Sequence, residues 1–505
     1  MATALTLPLI GPPISAYPLT LFLWVPALWV FSRASGWRAF ILGWSTGAAA
    51  TIAGFHWLVE TVQRFSNLPW PMAVAVLILF GLGEGLLLGL FAMGVSALRN
   101  GFHRTWPLWV ALWFTACEFV NPQLLPYFQG SVWYQVPWLF LLSALTGVAG
   151  LSFLLLYANT VLLMLVERLH SGDKPTLHRP LLFHGVSLAL LTLLALAWSG
   201  VRLHRIDAAE AVADSLHVAL IQTNRNPAES HMLRNRDGRD ALLEDHLQLS
   251  RQALDGPQPV DVLVWPEAAI DRPTDEGWKR LREFVRDNKV EIWSGMGYWE
   301  GTGPDSYRAF NSAIRIQKDG QVDRRYDKNV LFPFGEYMPL EDWIPALRRI
   351  EGVGDLTRGE ELLVFKSPLA TFVFLICYEA IHSSYVRTGT RQDLDLLVNI
   401  TYDAWYGDTA APHEHLMLSA IQAAQYGLPL IRAATTGLSA IVDARGCITE
   451  VSKLFQRQFL VQEVKKVRLS SPYTHLGDWF AWGSVLVSLG LFVDLYRRRQ
   501  RSRSS

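Results

Sequence analysis

Charge is distributed so unevenly along this 505-residue chain that no single water-soluble fold can hold it. Only 13 of its 90 Asp, Glu, Lys and Arg residues fall in the first 200 positions, leaving 77 for the last 305. Averaged over the chain, 18% of residues are charged, against about 25% in an ordinary soluble domain. The chain therefore joins two materials near residue 200, which excludes a disordered protein, a coiled coil and a lone soluble domain. Its net charge of +0 gives no reason to expect a nucleic-acid partner.

In the first material, apolar runs are separated by short basic or Pro/Gly-rich breaks. Spans are expected near 17–31, 38–58, 72–97, 106–120, 137–166 and 181–201, since a crossing takes about 20 apolar residues. A last run near 477–496 ends in Arg497, Arg498, Arg499, Arg501 and Arg503. With that basic end inside, the loops carrying Arg33 and Arg38, Arg99 and Arg104, and Arg168, Lys174 and Arg179 also fall inside. The expected layout is 1–201 as N-terminal transmembrane helices, 202–475 outside the membrane, and 476–505 as a closing helix with a basic tail. In a bacterium this is a multi-pass inner-membrane protein with its large domain in the periplasm. Met1 to Ile10 is apolar but too short to span. Glu84 and Glu118 lie inside spans, where a charge is costly; each is a functional candidate or a carboxyl hydrogen-bonded between helices.

From about residue 215, short apolar runs alternate with longer polar segments. Strands are expected at 217–222, 261–267, 291–298, 311–316, 371–379, 395–401, 428–433 and 438–443, and amphipathic helices at 235–255, 275–288 and 414–426. Strands apolar on both faces with helices between them predict an α/β sandwich in one domain.

Three strand ends in that domain carry reactive groups. VLVWPEAAI places Glu267 just past an apolar strand, RRYDKNVLFPFGEYMP carries Lys328 and Glu336, and FLICYEAI places Cys377 before Tyr378 and Glu379. A carboxylate, an ammonium and a thiol at one sheet edge form an acyl-transfer set. The thiolate is the nucleophile, the carboxylate takes its proton, and the ammonium favours the developing oxyanion. Taken singly, Cys377 also reads as a small core residue, Glu267 as a helix cap and Lys328 as a solvated charge. Cys117, Cys377 and Cys447 are too few and too scattered for a disulfide framework or a CxxC metal site, although a Cys377–Cys447 pair outside the cell is conceivable.

The wording of WPEAAI, YDKNVLFPFGEYMP and ICYE together resembles the nitrilase superfamily and, within it, the apolipoprotein N-acyltransferases. That resemblance implies a multi-span helical bundle plus an α-β-β-α sandwich. It also implies a general base at Glu267, a transition-state lysine at Lys328, a nucleophile at Cys377, a second essential glutamate at Glu336, and a supporting pair at Tyr378 and Glu379. DAWYG (403–407), His415 and IRAATTGLSAIVDARG (431–446) look like the family's downstream block. The implied reaction moves an acyl chain from a phospholipid, as in phosphatidylethanolamine, through a Cys377 thioester to the amine of a diacylglyceryl apolipoprotein, with no cofactor and no metal. Tyr402, Gln422 and Gln425 depart from the family pattern at positions that normally brace the site, and the loop after Gln222 offers His231 and Met232 where the family tends to present a Trp. A membrane-tethered amidase or hydrolase, and a catalytically impaired paralogue that binds lipoproteins, remain as alternatives.

Overall fold

The computed structural model describes residues 2–66, 68–170, 179–225, 236–301, 307–339, 341, 343–344 and 354–504. Lys174, His231 and Met232 lie outside them. The chain divides into two compact units: Met1–Val59, Trp70–His204 and Ser471–Ser505 form one, while Glu60–Pro69 and Arg205–Ser470 form the other.

The first unit is helical. Among the described residues, four helices are long and apolar enough to cross a membrane: Trp70–Gly101, Val148–His170, Arg179–Val212 and Trp479–Arg501. Fewer runs are continuous than the sequence leads one to expect. The 17–31 run splits into a 3₁₀ turn, Tyr17–Leu21, and a short helix, Val25–Phe31. The 137–166 run breaks into Pro137–Phe140, Ser143–Thr146 and the long helix that starts at Val148. Gly147 makes this break at φ 67, a backbone conformation that a side chain resists. The 106–120 run is a helix of only 15 residues, Trp106–Val120.

Small residues let two of these helices touch backbone to backbone. A Cβ on Gly85 of Trp70–Gly101 would lie 2.7 Å from both Ala48 N and Trp44 O of the helix Gly36–Gly54, and one on Gly47 would lie 2.9 Å from Gly85 Cα. Backbone atoms cannot move aside as a flexible side chain does. Gly85→Leu is expected to destabilise the bundle by about 1–3 kcal/mol, seen as earlier thermal unfolding in detergent, whereas Gly83→Leu, with open space around it, leaves the transition in place.

Glu84 and Glu118, the carboxyls expected inside spans, are held by hydrogen bonds. Asn121 Nδ2 donates to Glu84 at 2.7 Å, and the Gln129 backbone N–H donates to Glu118 Oε1 at 2.6 Å.

The second unit contains strands β1 (Ser215–Gln222), β2 (Val262–Asp271), β3 (Glu291–Glu300), β4 (Arg308–Ile316), β5 (Val322–Asp327), β6 (Val364–Lys366), β7 (Thr371–Ile376), β8 (Leu396–Thr401), β9 (Leu430–Ala434), β10 (Ala440–Val442), β11 (Ile448–Val451) and β12 (Gln458–Lys465). They form two six-stranded sheets, β12-β1-β2-β3-β4-β5 and β11-β10-β9-β8-β7-β6. The central strands run parallel, β1 with β2, β2 with β3, β7 with β8 and β8 with β9, and antiparallel strands close the edges.

Period-two alternation explains the layers. Leu216, Val218 and Leu220 of β1 join Phe372, Phe374, Val398 and Ile431 in the core between the sheets, and the Trp293 and Phe372 rings stack there with centroids 3.9 Å apart. Ala219 and Ile221 point the other way, into a second core with Leu243 and Leu247 of the helix Arg236–Leu254 and with Leu281 and Phe284 of the helix Asp275–Asn288. On the far side, the helix Ala411–Tyr426 places Leu416 against Leu438 and Ala440. The result is helix, sheet, sheet, helix.

Candidate active site

Glu267 is placed by a break in β2. Pairing with β3 runs in register from Val262 to Trp265 and resumes only at Ile270, and between these points Ala268 takes φ 54. Such a bulge re-aims a side chain at a strand end. Gly295 of β3 makes room for it, because a Cβ there would lie 2.6 Å from Glu267 Cα. The carboxyl is 8% exposed; Oε1 accepts from Asn311 Nδ2 at 2.6 Å, and Oε2 has no hydrogen-bond partner among the described residues.

Lys328 follows β5 and is pinned at its backbone, donating N–H to Asn311 O at 2.8 Å and accepting from the Gly359 N–H at 2.8 Å. Its ammonium is 1% exposed, donates to Glu336 Oε1 at 2.7 Å and lies 3.9 Å from Glu267 Oε1. The Asn311 amide also reaches Glu336 Oε1 at 3.2 Å, so a single side chain links the two carboxylates. Glu336 is fixed in turn by the Phe332 N–H, 2.8 Å from Oε2.

Cys377 ends β7 and opens the 3₁₀ turn Cys377–Ile381 at φ 51, a strained position for a residue with a side chain. The strain is held from beneath. His415 Nε2 faces Cys377 O at 3.3 Å, its Nδ1 faces Asp403 Oδ1 at 3.0 Å, and Arg432 donates to Asp403 Oδ2 at 2.7 Å. Arg432 also donates to Asn399 Oδ1 at 2.5 Å and to Ser419 Oγ at 3.1 Å, all within the buried interior.

The groups shift one another's protonation. Burial pushes the Cys377 thiol up, the Glu267 charge pushes it further, and Lys328 only partly opposes them. Burial also raises the Glu267 carboxyl above the usual range, against the pull of Lys328. Burial disfavours the Lys328 charge, but Glu336, Cys377 and Glu267 together outweigh it and hold the ammonium protonated. At rest the site carries a thiol beside an acid–base pair.

The structure brings Glu267, Lys328 and Glu336 into one hydrogen-bonded cluster and sets Cys377 within its field. Tyr378 and Glu379 stand apart from that cluster. Tyr378 packs edge-on against Phe332 and His382. Glu379 is fully buried and acts as a clamp: Oε2 accepts from the Ile376 N–H at 2.8 Å, and Oε1 from the Asn329 and Val330 N–H groups at 2.6 and 3.1 Å and from Tyr326 OH at 2.7 Å. It thereby ties the residue before Cys377 to the two after Lys328. Burial lifts its carboxyl to about 7.

Sequence reasoning missed Asn311, which the NSAIRI strand does not single out because Ser312 and Arg315 are polar as well. Arg432, Asp403 and His415 sit in motifs it quoted but to which it gave no roles. At the departures, Gln425 Oε1 accepts from Ser383 Oγ at 3.0 Å and Gln422 Nε2 donates to Leu418 O at 3.2 Å, while the buried Gln422 Oε1 has no hydrogen-bond partner among the described residues. Tyr402 donates to Arg225 O at 3.3 Å. Cys377 and Cys447 are free thiols, not a disulfide.

Comparison with known proteins places both units. Residues 217–471 match the carbon-nitrogen hydrolase family and residues 3–161 match the apolipoprotein N-acyltransferase N-terminal domain. An apolipoprotein N-acyltransferase from Geobacter metallireducens is 31% identical over 501 residues, covering 95% of this chain and 92% of that protein. One from Bdellovibrio bacteriovorus is 26% identical over 519 residues, covering 96% and 90%. Among solved structures, Saccharomyces cerevisiae Nit3, a member of branch 10 of the nitrilase superfamily, aligns with 50% of this chain and 90% of its own at TM-score 0.38 and 15% identity. The chain, a helical bundle joined to a nitrilase-type sandwich, belongs to the apolipoprotein N-acyltransferase family.

Proposed function

We propose that this chain is a phospholipid:apolipoprotein N-acyltransferase in which Cys377 is the nucleophile, Glu267 the general base and Lys328 the oxyanion donor. The observation that carries the reading is the buried cluster in which Asn311 bridges Glu267 and Glu336, while Lys328 lies between the same two carboxylates.

In the first half-reaction, Cys377 Sγ bonds to the ester carbonyl carbon of a glycerophospholipid such as phosphatidylethanolamine while Glu267 takes the thiol proton. Lys328 stabilises the oxyanion. The C–O bond then breaks, and Glu267 passes the proton to the departing glycerol oxygen, leaving a lysophospholipid and a Cys377 thioester. In the second, the free α-amine of a diacylglyceryl-cysteine attacks the thioester, Glu267 takes the amine proton, the C–S bond breaks, and Glu267 returns that proton to Cys377 Sγ, restoring the thiol. The product is an N-acylated lipoprotein. A base with a raised pKa suits both steps, because it must release the proton as readily as it takes it.

Glu336 keeps Lys328 charged and aimed, and Glu379 fixes the spacing of the Lys328 and Cys377 backbones. Both substrates are lipids, which accounts for a sandwich made in one chain with membrane helices. In this reading 1–201 and 476–505 lie in a bacterial inner membrane, and 202–475 works in the periplasm.

The test is mass spectrometry of the Cys377 peptide after incubating purified protein with phosphatidylethanolamine. A hydroxylamine-sensitive acyl adduct is expected, lost on adding diacylated lipopeptide as N-acylated peptide forms, and absent in Cys377→Ala. An adduct lost equally fast without lipopeptide indicates a hydrolase. No adduct on folded protein overturns the transferase.

A further inference from the structure

Beside Glu267 the second unit holds a cavity of about 290 Å³, at the carboxyl ends of the β1 and β2 strands. Its wall includes Glu267 and Asn311, but neither Cys377 nor Lys328. The cavity therefore lies on the base's side of the reaction centre. Four further residues of the wall, Thr223, Arg239, His246 and Thr435, each carry a buried polar atom without a hydrogen-bond partner among the described residues: two hydroxyls, the Arg239 Nε–H and His246 Nε2. Unpaired buried polar groups are costly, and so many around one space indicate a ligand that satisfies them.

The character of the groups limits that ligand. Of the two guanidiniums in the wall, Arg225 is paired with Asp245 at 3.0 Å, whereas among the described residues no carboxylate pairs with Arg239. His246 Nδ1 lies 2.9 Å from Leu242 O, which can only accept, so the proton is on Nδ1 and Nε2 presents a lone pair. Burial drives that ring down to about 4, so it is neutral. The space thus offers a cation and two hydroxyls for an anion and, for a donor such as an ammonium, His246 Nε2 and the Asp271 carboxylate that also lines the wall.

Position supplies the rest, resting on the function proposed above. Glu267 hands its proton to the departing glycerol oxygen, so the group on the cavity side is the leaving half of the donor. In a glycerophospholipid the phosphodiester lies only a glycerol backbone away from that oxygen. We propose that Arg239, with Thr223 and Thr435, holds the phosphodiester of the acyl donor, and that His246 Nε2 accepts from the ammonium of its head group. Arg239 is then a specificity-determining residue that selects phospholipids over uncharged esters.

The experiment measures initial rates of Cys377 acylation in full-length protein with phosphatidylethanolamine and with an uncharged diacylglycerol ester. In Arg239→Gln the preference for the phospholipid is expected to fall about tenfold, through KM, with Arg239→Lys recovering most of it and the KM for the lipopeptide acceptor unmoved. In wild-type protein, glycerophosphoethanolamine should compete with the phospholipid and glycerol should not. An unchanged preference in Arg239→Gln, a rise in acceptor KM in place of donor KM, or no competition by glycerophosphoethanolamine overturns the assignment. Failure of wild-type protein to acylate Cys377 from either ester is a different result and strikes the transferase reading itself.

Discussion

Replacing Glu267 with Gln is expected to lower N-acyltransfer by about 10²–10⁴-fold while making Cys377 easier to ionise. The two effects part because, in the proposed mechanism, Glu267 does two things to the thiol. As a base it accepts the proton in the transition state, and an amide cannot. As a charge it is, after burial, the largest influence holding the thiol up, and an amide carries no charge. With Lys328 still beside it, the Cys377 thiolate gains, so the midpoint of iodoacetamide alkylation against pH should move down in the variant. Turnover surviving above about a tenth of wild type, or a midpoint moving up, sinks the assignment of the base.

Wild-type pH dependence has the matching sign. As the proposed base, Glu267 must be ionised to act, and burial raises its pKa above the ordinary carboxylate value of about 4.3, so kcat/KM should fall as the pH is lowered, at a higher midpoint than an exposed glutamate would give.

Glu267 and Cys377 were legible in the sequence because each stands at the end of an apolar run, where polarity changes abruptly: Glu267 after VLVW, Cys377 after FVFLI. The sheet centres were legible for the same reason. The edges were not. β5 (VDRRYD) carries mostly polar residues, β11 (ITEV) is only four residues long and half polar, β6 has three residues, and β12 alternates too weakly to stand out. In the bundle, hydropathy reports what is apolar but not whether a helix is continuous, so the helix at 106–120 was legible with its bounds, while the break at Gly147 and the split of 17–31 were invisible to it. The clamp on Glu379 was the least legible, since its partners are mostly backbone N–H groups, one three residues away and two about fifty residues earlier in the chain.

Arg432 is the residue whose loss should cost most in stability. It and Asp403 are both fully buried and 2.7 Å apart, and a buried pair broken on one side leaves an uncompensated charge worth about 3–5 kcal/mol. Arg432→Met is therefore expected to lower the unfolding temperature of the folded chain in detergent by on the order of 10 °C, and Asp403→Asn added to it should restore part of that loss. The pH dependence separates lost charge compensation from simple loss of packing. In wild type, burial alone would raise the Asp403 carboxyl, but Arg432 and His415 outweigh it and hold it far below the usual range. A depressed carboxyl contributes stability above its unfolded value of about 3.9, and that stability disappears only as pH falls through the lower folded value. Without Arg432 the sign reverses: burial dominates, the carboxyl rises, and protonation relieves the folded state. Lowering the pH from 7 to 5 should then raise the melting temperature of Arg432→Met relative to wild type. A deficit that stays constant across that range would mean that Arg432 stabilises the turn beneath Cys377 by its bulk rather than by its charge.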